Sequence, residues 1–124
     1  MIKTILIADD EIGHVSMLES LLKDRGYKVI MTSDGDEAVI QASRYQPDLI
    51  ILDIMMPKMA GTDAAALLRN DERTKNIPIF FVTAAISAED ELQTKVKGHP
   101  YKIFAKPIKF FELLDAITKL STAS

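Results

Sequence analysis

Short apolar runs alternate along the chain with longer stretches whose apolar positions recur every three or four residues. Leu49-Ile50-Ile51-Leu52 and Ile79-Phe80-Phe81-Val82 are continuous runs, as strands covered on both faces require. With the runs ending at Ala8, Met31 and Ala105, they predict strands over 2–8, 27–31, 48–52, 78–82 and 102–105.

Helices are predicted between them. Ile12, Val15, Leu18, Leu21 and Leu22 form one stripe, which Gly26 stops. A second helix starts near Ser33-Asp34-Gly35-Asp36, turns Ala38, Val39 and Ala42 inward and ends before Pro47. A third, alanine-rich, spans 62–69. A fourth starts at Ser87-Ala88-Glu89-Asp90, a capping-box pattern with Asp in place of Glu. Its stripe of Ala88, Leu92 and Val96 is narrow, so the helix is weakly held and offers surface to a partner. The fifth, over 109–120, carries Phe110, Leu113, Leu114, Ile117 and Leu120, and residues 121–124 are expected to fray.

Strands alternating with helices predict an α/β domain with one parallel sheet. The strands then end together, and their ends are polar: Asp9-Asp10, Asp53, Thr83 and Lys106-Pro107. Open α/β sheets bind ligands at that carboxyl edge. Three carboxylates crowded there raise one another's pKa, a penalty that a divalent cation removes. All-oxygen donors suit Mg²⁺, with Mn²⁺ as a substitute, and the two distant histidines disfavour zinc. A carboxylate beside such a cation is a competent nucleophile toward phosphorus. The Lys106 ammonium and the Thr83 hydroxyl would meet the remaining phosphoryl oxygens. Taken singly, each of these residues reads as a loop, cap or surface residue, so the inference rests on their meeting at one edge.

At 124 residues the chain suits one domain, residues 1–124. It has no cysteine, which excludes thiol catalysis and disulfides. A net charge of −3 without a basic block argues against nucleic acid. No stretch approaches the roughly 20 apolar residues of a membrane span, and a cytoplasmic home is expected.

Ile7-Ala8-Asp9-Asp10-Glu11, Asp53-Ile54-Met55-Met56-Pro57 with Gly61, Val82-Thr83-Ala84 and Ala105-Lys106-Pro107 occur in this order and spacing. By these motifs the chain resembles, over essentially its whole length, the receiver domain of bacterial two-component response regulators. The resemblance implies a flavodoxin-like, doubly wound fold of five strands, ordered 2-1-3-4-5, with five helices. It makes Asp53 the phosphoacceptor, served by a histidine kinase or phosphotransfer protein. Asp10 and the Met55 carbonyl become Mg²⁺ ligands, with Asp9 acting through water. Thr83 and Lys106 become sensors of the phosphorylated state, and the Lys106-Pro107 peptide is expected to be cis. The output would be a downstream protein target meeting the fourth helix, fifth strand and fifth helix, on a monomer or a phosphorylation-dependent dimer. Such a protein is a signalling switch rather than a metabolic enzyme.

The chain departs from the family in places. Relatives carry Tyr or Phe three residues before the lysine, where Ile103 stands here, flanked by Phe104 and Tyr101. A missing or altered aromatic toggle is preferred to a bulge that puts Tyr101 in that role. Met55 and Ala85, two past the acceptor and the threonine, cannot orient a water, so a long-lived phosphorylated state is expected. His14 is read as a partly exposed helix residue in preference to one influencing the site, and His99 as a loop residue. Two other classes stand as alternatives. One is a small aspartyl-nucleophile phosphatase, which lacks its second acid because Met55 holds that position. The other is a flavin or nucleotide module, whose phosphate loop Asp9-Asp10-Glu11 would repel.

Overall fold

The computed structural model describes residues 2–84 and 101–122. Along the chain run β1 (Thr4–Ala8), α1 (Ile12–Asp24), β2 (Lys28–Thr32), α2 (Gly35–Tyr45), β3 (Leu49–Asp53), α3 (Gly61–Arg69), β4 (Ile79–Thr83), β5 (Tyr101–Ala105) and α4 (Phe110–Thr122). All neighbouring strands pair in parallel, in the order β2-β1-β3-β4-β5. This is the doubly wound, flavodoxin-like sheet expected from the sequence. The helix expected from Ser87 onward lies outside the described residues, so α4 here is the fifth helix of the sequence reading.

Alternate residues of each strand feed opposite core layers. Leu6, Ala8, Ile50, Leu52 and Phe81 pack with Ala38 and Ala42 of α2 and with Ala64, Ala65 and Leu68 of α3. Ile5, Ile7, Ile51, Phe80, Val82 and Phe104 pack with Val15, Leu18 and Leu22 of α1 and with Leu113 and Ile117 of α4. Small alanines on α2 and α3 let those helices lie close to the sheet.

The strands β2, β3 and β4 each end one residue later than the apolar runs suggest, at Thr32, Asp53 and Thr83. A polar side chain does not stop a ladder made by the backbone. Asp53 pairs with Val82, and Ile54 N–H still donates to the Val82 carbonyl at 2.9 Å. Lys106 N–H likewise reaches the Thr83 carbonyl at 2.9 Å. At the other chain end, α4 continues through Thr122. Ser121 and Thr122 form its last turn, and Ser121 Oγ accepts from Ile2 N–H at 3.2 Å.

The predicted stops act as expected. Gly26 takes φ 92° and donates its N–H to the Lys23 carbonyl, closing α1. The Asp34 side chain accepts from Glu37 N–H at 2.8 Å and opens α2, and Gln46 ends that helix in the left-handed region just before Pro47. β5 pairs residue for residue with β4 from Tyr101 to Ala105. Ile103 lies half-buried on the α2–α3 side, whereas Phe104 is buried on the opposite face, 5.4 Å from the Phe80 ring.

Candidate phosphoacceptor site

β1 is flanked by β2 on one side and β3 on the other, so the order in which strands are added across the sheet reverses at β1 and β3. The crevice at their carboxyl ends is where such sheets take ligands. Asp9 leaves β1 there, its N–H tied to the Thr32 carbonyl at 3.1 Å, and Asp53 ends β3. Gly61 supports this end from below. A Cβ on it would run into the Asp53 carbonyl, so only glycine lets α3 start this close, with its N–H on the Ile54 carbonyl at 2.9 Å.

Asp9, Asp10 and Asp53 each offer an oxygen within 4.8 Å of the others. Asp9 and Asp53 are buried, whereas Asp10 is exposed. The largely buried Lys106 ammonium bridges the cluster, 2.8 Å from Asp53 Oδ2, 3.0 Å from Asp9 Oδ1 and 2.6 Å from Glu11 Oε1. Asp53 Oδ1 also accepts from Met55 N–H at 3.1 Å. Thr83 is buried at the end of β4, beside Lys106 along the edge. The Lys106-Pro107 peptide is cis, as expected.

The two buried aspartates are tuned in opposite directions. Burial pushes Asp53 up, and the nearby Asp9 charge adds to this, so its carboxyl titrates above the ordinary range although Lys106 and Met55 N–H pull it down. Burial also pushes Asp9 up, but donors from Glu11 N–H, His14 and Lys106 together hold it below that range. Burial works to lower the Lys106 pKa, and its hydrogen bonds to Asp53, Glu11 and Asp9 outweigh this and raise it. Lys106 is therefore a fixed cation among an excess of carboxylates. An all-oxygen donor set of this kind, with one ligand open to solvent, fits a hard divalent cation.

Two contacts escaped the sequence reading. Glu11 meets Lys106 across 95 residues of chain, and its only sequence signal was its place as the third acid in the Asp9-Asp10-Glu11 run. His14, read as a partly exposed helix residue, is half-buried and points Nδ1 at Asp9 Oδ2 over 2.9 Å. It lies in the first turn of α1, which opens onto the crevice, and that turn was the available clue.

Comparison with known proteins agrees with this geometry. The profile of the response regulator receiver domain matches residues 5–118. The polar-differentiation response regulator DivK of Brucella ovis is 32% identical over 117 residues, 94% of either chain. Among solved structures, the chemotaxis protein CheY4 of Vibrio cholerae superposes with a TM-score of 0.84 at 30% identity, covering 96% of this chain and 98% of that one. The receiver domain of a Pseudomonas aeruginosa sensor histidine kinase, solved with a magnesium ion coordinated in its active site cleft, gives 0.85 at 29% identity, covering 96% and 97%. The chain belongs to the response regulator receiver domain family of two-component signalling.

Proposed function

We propose that Asp53 accepts a phosphoryl group from a phosphohistidine of a kinase or phosphotransfer protein, in a Mg²⁺-dependent reaction. The observation that carries this reading is the meeting of Asp9, Asp10, Asp53 and Lys106 at one sheet edge. An Asp53 carboxylate oxygen attacks phosphorus, the bond from phosphorus to the donor imidazole nitrogen breaks, and that nitrogen keeps the electron pair. Lys106 moves its ammonium onto a phosphoryl oxygen from a starting point 2.8 Å from Asp53 Oδ2. Thr83, at the adjacent strand end, donates its hydroxyl to another. Asp10, Asp53 and the Met55 carbonyl would hold Mg²⁺ directly and Asp9 through water, and the cation supplies neutralisation of phosphoryl charge.

Drawing Lys106 and Thr83 toward the phosphoryl group shifts β5 and the end of β4, and with them the surface a target meets. A hollow of about 370 Å³ between β5 and α4, lined by Lys102, Phe104, Pro107, Lys109, Glu112 and Asp115, supports a docking role for this face. Phe111, 74% exposed on α4, supports it further. The phosphatase alternative gains no support, because Met55 occupies the place of its second acid and is 62% exposed. Among the described residues no helix is long and apolar enough to cross a membrane.

Incubation with acetyl phosphate and Mg²⁺ tests the reading. Intact mass should rise by one phosphoryl group, mapped to Asp53, and Asp53→Asn should gain none. Labelling at another residue, or undiminished labelling with a chelator, would refute it.

A further inference from the structure

Asp9 is 4% exposed, and both of its oxygens are doubly engaged. Oδ1 accepts from Glu11 N–H at 2.9 Å and from Lys106 at 3.0 Å, while Oδ2 meets His14 Nδ1 at 2.9 Å and forms an ion pair with the same ammonium, 3.0 Å away. Two of these donors have other reasons to be there. Glu11 N–H belongs to the turn that enters α1, and Lys106 serves Asp53. His14 has none. Its side chain is 10% exposed, and its Nε2 is buried without a hydrogen-bond partner among the described residues.

That pair of facts sets the proton. A carboxylate only accepts, so Nδ1 must carry the hydrogen. Among the described residues a hydrogen on Nε2 would be a buried donor without an acceptor, which favours the form that carries its hydrogen on Nδ1 alone. A histidine side chain free in water favours the opposite tautomer, with its hydrogen on Nε2, which makes this one a signature of the contact.

We infer that His14 is a positioning residue, whose Nδ1–H holds the Asp9 carboxylate in place while Lys106 turns to a phosphoryl group on Asp53. This rests on the reading of Asp53 as acceptor and Asp9 as a partner of the cation. One ammonium serves three carboxylates here, so whatever Lys106 gives to a phosphoryl oxygen is withdrawn from Asp9 and Glu11. Glu11 is exposed and exchanges Lys106 for water. Asp9 is buried and cannot. His14 leaves Oδ2 one donor fixed to a helix, and in this tautomer the donor is neutral, so it orients the carboxylate without repelling a cation. Lysine or arginine at this position would compete with the cation for Asp9.

The geometry also says which replacements work. The amide nitrogen of asparagine sits at the same distance along the side chain as His14 Nδ1, whereas glutamine carries its amide one bond further out. Nitrogen NMR of the protein in chelator should show a protonated Nδ1 on His14. Calorimetric Mg²⁺ titration should find His14→Leu and His14→Gln weakened about tenfold, the scale of losing a partner that orients a metal ligand. His14→Asn should recover most of that loss, with urea unfolding run alongside to confirm that each variant folds. A bare Nδ1, wild-type affinity in His14→Leu, or His14→Asn as weak as His14→Gln would overturn the inference. A wild-type protein that takes no Mg²⁺ would instead overturn the metal reading, and the role of His14 with it. Should His14→Leu not fold, the tautomer and the asparagine–glutamine contrast still decide.

Discussion

The two ends of the sheet use polar residues in opposite ways. At the amino edge, side chains close the backbone. Asp48 Oδ2 accepts from the N–H groups of Lys3 and Thr4, both at 2.9 Å, and Ser121 Oγ takes Ile2 N–H. The cations Lys3, Arg25 and Lys28 line an open hollow of about 610 Å³, where water screens them. At the carboxyl edge, side chains face one another. Asp9 and Asp53 are buried with a single ammonium between them, and the acids outnumber it. The same strands carry both ends, so the difference lies in what the terminal residues are asked to do. One end is finished by its own contacts, and the other is left short of positive charge.

Removing Lys106 should break this contrast most severely. In Lys106→Met, three carboxylates converge without a cation, and with chelator the loss should be about 3 kcal/mol by urea unfolding. Mg²⁺ should then raise the stability of the variant more than that of wild type. At the amino edge, Asp48→Ala strands two N–H donors and should cost about 1 kcal/mol, with the Mg²⁺ titration unchanged. An effect of Asp48→Ala on Mg²⁺ affinity would mean that the two ends are coupled.

Asp9 and Asp53 should respond to neutralisation with opposite signs. The folded pKa of Asp53 is raised, so its ionised form weakens the fold above that pKa, and the penalty vanishes below the ordinary value of 3.8. The folded pKa of Asp9 is lowered, so its contribution is stabilising above 3.8 and is lost as pH falls through the lower folded value. In chelator at neutral pH, Asp53→Asn should therefore be more stable than wild type and Asp9→Asn less stable. Both differences should shrink in acid, as thermal melts over a pH series would show. Equal signs would contradict the opposed tuning of the pair. The smallest effect is expected from Glu11→Gln, whose exposed partnership with Lys106 should change stability by less than about 1 kcal/mol.

Much of this was legible in the sequence for a specific reason. Apolar runs that end on Asp9, Asp53, Thr83 and Lys106 mark both the strands and the edge where they finish, so one pattern reports the fold and the site together. The ends of β2, β3 and β4 were misplaced by one residue because Asp53 and Thr83 stay in backbone pairing while their side chains leave the core pattern. The length of the last helix was misjudged because Ser121 meets Ile2 across the whole chain. Glu11 and His14 were passed over as site residues because their contacts depend on how the turn into α1 aims its first residues, which spacing does not encode. The Ile103 and Tyr101 question turns on residues 85–100, which lie outside those described.

Beryllofluoride, a mimic of the phosphoryl group, tests the central claim most directly. Fluorine NMR with Mg²⁺ present should show bound beryllofluoride in the wild-type protein, and none after chelation or in Asp53→Asn. Bound signal that survives either change would contradict Asp53 as the acceptor at a cation-dependent site.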